Sequence, residues 1–215
     1  MSDISGTLLD LSGQIQDNTA VFTAPKIPIF LIAMLGNQER KDNIDKLIQQ
    51  FNPFVVKAVL RTSPHYGNCL SHLEVARKAK LLFPDKPYLV LEDDAEVKDP
   101  KFWTLMEDAS GADIVYLGYN GDCNHTTPIN TNYIWGTHAV VINPKARDAI
   151  IEHFEWANKL DYWTKDVGFD SYLTVITHKA GLTYWAPSQE DRYKYICQKD
   201  GFVSFLSGHT RRNNL

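Results

Sequence analysis

Glu92, Asp93, Asp94 and Glu96 place four carboxylates within five positions, directly after the apolar run Tyr88-Leu89-Val90-Leu91. Carboxylates at the end of a buried strand repel one another and lose hydration unless a cation compensates them. The spacing predicts a divalent metal at the carboxyl end of a central strand, where open α/β sheets bind their ligands. Hard oxygen ligands suit Mg²⁺ or Mn²⁺, and such ions are commonly shared with substrate phosphates. Asp94 is the first choice of ligand. Glu96 faces the same side if the strand continues, and Glu92 and Asp93 either orient the ligand or contact a ribose. The plain alternative is a solvated acidic loop.

Other residues carry weaker signals. Ser71 with Glu74 has the spacing of a capping box, which would start a helix at Ser71. Helix N-termini favour anions, so Ser71 and His72 are read as contacts to a phosphorylated ligand, against a simple N-cap and a satisfied buried histidine. Gly136 and Thr137 would let backbone approach a ligand closely, although a tight strand entry explains the glycine equally well. Tyr133, Trp135, Trp163, Tyr184 and Trp185 have faces on which a sugar could stack; most aromatics are core.

The elements that must position these residues alternate between strand and helix. Ile29 to Met34 reads as a buried strand. A helix follows with Ile44, Leu47, Ile48 and Phe51 on one face. Phe54 to Leu60 is a second strand, Tyr66-Gly67-Asn68 punctuates the chain, and a helix runs from Ser71 to about Phe83, ended by Pro84 and Pro87. After the Tyr88 strand, Pro100 starts a helical piece and Ile114 to Gly118 forms a strand. Tyr119 to Asn132, rich in Asn, Asp, Gly and Thr, reads as a functional loop. Ala139 to Ile142 is a strand, and Asn143-Pro144 opens a helix with Ala146, Ala149, Ile150 and Phe154 on one side. A helix from about Val167 to Lys179 stops at Gly181, and Leu182 to Trp185 is a late strand. This alternation predicts an α/β fold with a mostly parallel central sheet and helices on both faces.

The chain has 215 residues, 44% of them apolar and 22% charged, enough for one well-buried core. Residues 1–26 read as a polar lead-in and residues 27–215 as a single domain. The net charge of -4 and the lack of a basic block before Arg211-Arg212 argue against a nucleic-acid partner. No run is long and apolar enough to span a membrane: Ile27 to Leu35 is short and contains Pro28. The three cysteines, Cys69, Cys123 and Cys197, form neither a disulfide framework nor a zinc pattern, which suits a reducing compartment.

The ordered set Gly67-Asn68-Cys69-Leu70-Ser71-His72, a helix, then Leu89-Val90-Leu91-Glu92-Asp93-Asp94 resembles glycosyltransferase family 25, the lipooligosaccharide and collagen galactosyltransferase type. Phe30 to Arg40 is similar to that family's opening strand with its following arginine, and Trp135-Gly136-Thr137-His138-Ala139 to its strand ahead of a helix. Met34-Leu35-Gly36-Asn37 departs from the pattern, which has Asn-Leu and a polar pair there. The resemblance covers about Ile27 to Leu173.

It implies a GT-A-type, Rossmann-like fold and transfer of a sugar from a nucleotide diphosphate donor, usually a UDP-sugar, to a glycan hydroxyl. It also implies a Mn²⁺ or Mg²⁺ cofactor and inversion at the anomeric carbon. Inversion needs a base for the acceptor proton. Asp170 is the candidate and Asp166 the reserve, against acids that merely favour the first turn of a helix. His209 would complete the metal shell, as a C-terminal histidine does in many GT-A enzymes, and Arg211 or Arg212 would touch diphosphate; the alternative is a frayed basic tail. Donor sugar, acceptor, linkage, the identity of the base and oligomeric state are not legible, nor is the choice between inversion and retention without a protein base.

Two rivals stand beside this reading. Asp94-Ala95-Glu96-Val97 superficially resembles the signature of an aspartyl-nucleophile phosphohydrolase, but Glu96 is the wrong second acid. A non-catalytic module that binds nucleotide or glycan is the other. A pyrophosphorylase is disfavoured because the opening strand lacks a Gly-rich phosphate loop. Without an N-terminal anchor or signal pattern, a cytoplasmic setting is expected, bacterial or, for a viral protein, that of the host.

Overall fold

The computed structural model describes residues 27–99, 102, 109, 111–120, 134–159, 168–187 and 196–198. Its main sheet has six strands in the order β2-β1-β3-β6-β5-β7. These are β1 (Ile29–Ala33), β2 (Phe54–Lys57), β3 (Tyr88–Glu92), β5 (Ile114–Asn120), β6 (Trp135–Ile142) and β7 (Tyr184–Trp185). β1 pairs in parallel with β2 and β3, and β5 with β7, while β6 runs antiparallel to both β3 and β5. β4 (Ala95–Val97) pairs antiparallel with β8 (Ile196–Gln198) in a separate two-stranded sheet. The sheet is mostly parallel; the strand expected over Ala139 to Ile142 is present as the longer β6, but its antiparallel insertion between β3 and β5 was not foreseen from the sequence.

Helices cover both faces. α1 (Gln38–Phe51) lays Ile44 and Leu47 on one face, against Ile29, Leu31, Leu89 and Leu91. α2 (Pro64–Leu82), α3 (Pro144–Lys159) and α4 (Phe169–Ala180) cover the other, where Leu73, Ala76, Ile150, Phe154, Leu173 and Ile176 meet Phe30, Ile32, Tyr88 and Val90. β1 and β3 are buried on both sides, which is why they read as unbroken apolar runs rather than as alternating ones. Each fully buried Leu, Ile or Phe contributes about 1.5–3 kcal/mol relative to exposure, so these two strands anchor the sheet. From β1 the chain goes outward to β2 on one side, then crosses to β3 on the other. The crevice at the carboxyl ends of β1 and β3 is therefore the topological switch point, the usual ligand position in such sheets.

Caps agree with the sequence at most ends. Asn143 Oδ1 accepts from the Ala146 amide at 3.0 Å, opening α3 as expected. Gly181, at φ 59, ends α4 in the left-handed conformation. The start of α2 is a correction. Ser63, not Ser71, is its N-cap, its hydroxyl accepting from the Tyr66 amide at 3.3 Å, with Pro64 in the first turn. Gly67 and Asn68 lie inside the helix. β2 is also shorter than the strand expected over Phe54 to Leu60, and β8 was not anticipated. Apart from Phe102, the piece after Pro100 lies outside the described residues. Of the expected loop, Tyr119 and Asn120 belong to β5 and the rest lies outside, as does the lead-in over residues 1–26. Among the described residues no helix is long and apolar enough to cross a membrane.

Candidate functional site

Strand geometry divides the acids. Side chains alternate across a sheet, and in β3 Tyr88 and Val90 face α2 while Leu89 and Leu91 face α1. Glu92 continues the first set and Asp93, the next residue, turns to the second. On the α2 side, Glu92 Oε1 accepts from His72 Nε2 at 2.9 Å, Thr137 Oγ1 at 2.7 Å and Asn68 Nδ2 at 3.3 Å. Burial alone would raise the Glu92 pKa, but the hydrogen bonds and charge of His72, with the Thr137 hydroxyl, hold it at about 2. The His72 ring stacks on Phe169, centroids 3.9 Å apart, and is fully enclosed.

On the α1 side, Asp93 Oδ2 accepts from the Met34 amide at 2.7 Å, and Oδ1 accepts from the Arg40 guanidinium. Asn43 Nδ2 donates to the carbonyls of Asp93 and Ala95, both at 2.9 Å, fixing the turn after β3. Burial pushes the Asp93 carboxyl above its ordinary range, with Arg40 opposing. Arg40 Nη1 also lies 3.9 Å from Asp94 Oδ2. Asp94 is itself buried. Glu96, in β4, is half exposed and pairs with Lys98 at 2.8 Å.

The four carboxylates therefore do not form one mutually repelling cluster, as their spacing suggested. Glu92 and Asp93 are compensated by protein groups on opposite faces. Asp94 is buried in the turn that follows β3, with Arg40 Nη1 3.9 Å away, and Glu96 lies beyond it with a lysine partner. Among the described residues no three His, Cys, Asp or Glu side chains gather as a metal cluster.

Ser71 sits in the body of α2. Its hydroxyl accepts from the Val59 amide and donates to the Gly67 carbonyl, both at 2.8 Å, tying the helix to the segment after β2. The helix N-terminus that motivated Ser71 and His72 as anion contacts lies at Ser63 instead. Gly67 is needed for close approach: a Cβ there would stand 2.4 Å from the Val59 carbonyl oxygen.

β6, being reversed, brings its first residues to the carboxyl edge of β3. Gly136, at φ 80, adopts the left-handed conformation that glycine tolerates, and its amide donates to Asp170 Oδ2 at 3.3 Å. Asp170 Oδ1 accepts from the Ser171 amide at 2.7 Å. Asp170 is thus a buried carboxylate fixed at the N-terminus of α4 by two backbone amides. Asn68 joins this end to β3, since its Nδ2 donates to Glu92 and its Oδ1 accepts from the Phe169 amide at 3.2 Å. Tyr184 and Trp185 are core. Asp166, His209, Arg211, Tyr133 and Trp163 lie outside the described residues.

The sequence reading missed the roles of Arg40, Asn43 and Asn68. A signal was there. Arg40 and Asn43 extend the buried stripe of Ile44 and Leu47 at helical spacing, and Asn68 and His72 are four apart on the buried face of α2. A polar residue on an apolar stripe has a buried partner to satisfy.

No protein-family profile matches the sequence, and no curated protein does. Among solved structures, the chain is similar to a glycosyltransferase involved in the glycosylation of the major capsid of PBCV-1. The TM-score is 0.58 at 13% identity, over 84% of this chain and 95% of that one. The inositol-1-phosphate CTP transferase of T. maritima also matches, with a TM-score of 0.46 at 11% identity over 85% of this chain and 72% of that one. The first likeness shows a shared α/β fold.

Proposed function

We propose that this chain is a nucleotide-sugar glycosyltransferase that moves a sugar from a nucleotide diphosphate, UDP in the first instance, to a glycan hydroxyl. The observation that carries the reading is the join between two carboxylates at one edge of the sheet. Neighbouring residues of β6 hold both: Gly136 donates to Asp170, and Thr137 donates to Glu92, two residues before Asp94. A donor in the switch-point crevice would have Asp94 on its diphosphate side and Asp170 on its acceptor side.

The reading includes a hard divalent cation of the Mg²⁺ or Mn²⁺ kind, which Asp94 would hold. Asp94 offers one carboxylate oxygen site, and such ions are commonly held by one or two carboxylates with phosphate oxygens and water completing the shell. Glu96 would join if released from Lys98, and His209 is the proposed late ligand. When bound, the cation supplies neutralisation of the charge that builds on the leaving diphosphate. Arg40, against Asp93 and near Asp94, holds this end of the site in place. Asp170 accepts the proton of the acceptor hydroxyl as its oxygen forms the new bond to the anomeric carbon and the bond to diphosphate breaks, with inversion. Two backbone amides orient the carboxylate for that step.

The test is thermal shift and donor hydrolysis with UDP-sugars in the presence of Mn²⁺. Ligands that bind the folded form raise its melting temperature. The wild type should show a metal-dependent shift with UDP, and Asp94→Asn should lose it while melting normally without ligand. Equal UDP binding by Asp94→Asn would overturn the assignment. Binding without any turnover would favour the non-catalytic module.

A further inference from the structure

We propose that the outer edge of β2 is the docking surface for this chain's own lead-in, with residues 19–23 added antiparallel as a seventh strand of the main sheet. β2 stands at one end of the six-strand order, and among the described residues no strand lies on its outer side. The Ala58 amide turns inward to the Ala33 carbonyl at 2.8 Å. By the alternation of a strand, the backbone groups of Val55 and Lys57 turn outward. Such an edge is a template for another strand. Three of the four residues of β2 are apolar. Phe54 is 37% exposed, although its ring packs on Phe30 at 5.3 Å and Phe83 at 5.5 Å. Leu82, 41% exposed, lies on the side of α2 that Ser71, about three turns earlier, turns to Val59 beyond β2. The edge and the end of the helix thus share one apolar flank.

Reach, polarity and charge select the occupant. Thr19-Ala20-Val21-Phe22-Thr23 is dominated by β-branched and aromatic residues, and Pro25 and Pro28 punctuate the link that follows. The described chain enters at Ile27, at the amino end of β1, and Phe54 opens β2 beside Phe30 at that same end. A strand outside β2 lies two spacings from β1, about 10 Å. The link from Thr23 to Pro28 spans about 17 Å at full extension, and it must finish at the amino end, so the added strand runs antiparallel to β2. With Val21 opposite Val55, Phe22 stands opposite Phe54, and Asp17 falls diagonal to the exposed Lys57, with the exposed Arg61 beyond. A second copy is the poorer occupant. Pairing β2 with its own copy through Val55 and Lys57 sets the two Lys57 side chains diagonally across the junction, like charge against like.

The experiment is amide exchange, read residue by residue in the full chain. In the wild type the Val55 and Lys57 amides should be protected, to the same degree at every protein concentration. Val21→Pro removes a donor from the added strand and lies outside the folded core. Both amides should exchange about tenfold faster in that variant, while Val90 and Leu91, in the central strand β3, exchange as before. Asp17→Lys should quicken Val55 and Lys57 in the same direction and by less. Unprotected Val55 and Lys57 amides in the wild type overturn the proposal. So does protection that survives Val21→Pro: where it grows with protein concentration the occupant is a second copy, and where it does not, it is another part of the chain.

Discussion

Glu92 and Asp93 are adjacent in sequence and satisfied on opposite faces of the sheet, Glu92 by His72 Nε2 at 2.9 Å and Asp93 by Arg40 and the Met34 amide. One residue of strand separates two electrostatic environments. On the α2 side the donors keep a carboxylate ionised down to about pH 2. On the α1 side burial outweighs the guanidinium and raises the pKa. The two acids that look alike in sequence therefore have different settings: Glu92 ties β3 to α2, and Asp93 ties it to α1.

Arg40 compensates the α1 side, so its removal strands a buried carboxylate. Arg40→Met should destabilise the protein by about 3–5 kcal/mol, the usual cost of breaking a buried pair from one end. Adding Asp93→Asn to that variant should recover part of the loss, since the orphaned charge is gone. Urea unfolding of the two single variants and the double one measures this coupling. Strict additivity would show that Arg40 and Asp93 do not stabilise each other.

On the α2 side the hub is an oxygen rather than a charge alone. Glu92→Ala leaves the His72, Asn68 and Thr137 donors facing a void, each unsatisfied group costing about 1–3 kcal/mol. Glu92→Gln keeps an acceptor oxygen and should cost less. The melting temperatures should rank wild type, Glu92→Gln, Glu92→Ala, with the alanine variant lowest by several degrees; the reverse order of the two variants would mean the hub matters little.

The sequence made the sheet legible because β1 and β3 are apolar on both sides and α1, α3 and α4 carry clean apolar faces with recognisable ends. It misplaced the start of α2 because Gly67 looked like punctuation and Ser71-Glu74 like a cap, when Gly67 answers to a contact with Val59, a residue in another element. The reversal of β6 had a trace: Gly121 to Tyr133 shows no helical apolar period, and a parallel connection needs a crossover, usually a helix. At the site, Asp94 and Asp170 were named from spacing and resemblance and lie at one edge of the fold. The partners of Glu92 and Asp93 were not named, because hydrogen bonds between residues 20 to 53 apart in sequence are set by topology, not by local pattern.

Gly67→Ala and Gly36→Ala should fail in different ways. At Gly67 the added methyl would lie 2.4 Å from a backbone oxygen, so α2 must shift, at about 1–3 kcal/mol or more. At Gly36 nothing lies within 4 Å, but φ is +98, and the penalty is local strain of about 1–2 kcal/mol. Amide exchange distinguishes them: Gly67→Ala should speed exchange of the Val59 amide, which is bonded to Ser71, whereas Gly36→Ala should leave it unchanged.

His138 makes stability depend on pH. Burial lowers its pKa to about 4 from 6.5, with the charge of Glu92 opposing only in part. Between those values the unfolded chain binds a proton that the folded chain does not, so stability falls as pH drops from about 6.5 to about 4. The full difference is on the order of 3 kcal/mol, and below about pH 4 both states are protonated and this contribution stops changing. Glu92, with its lowered pKa, stays ionised in the folded protein while the unfolded chain takes up a proton near pH 4.5, so it adds to the loss at the acid end, while Asp93, with its raised pKa, contributes in the opposite direction there. The clean measurement is therefore a difference. Urea midpoints of wild type and His138→Asn, taken from pH 7 to pH 4, should diverge in slope, with the wild type losing stability more steeply. Parallel curves would mean that His138 takes up its proton in the folded protein as readily as in the unfolded chain.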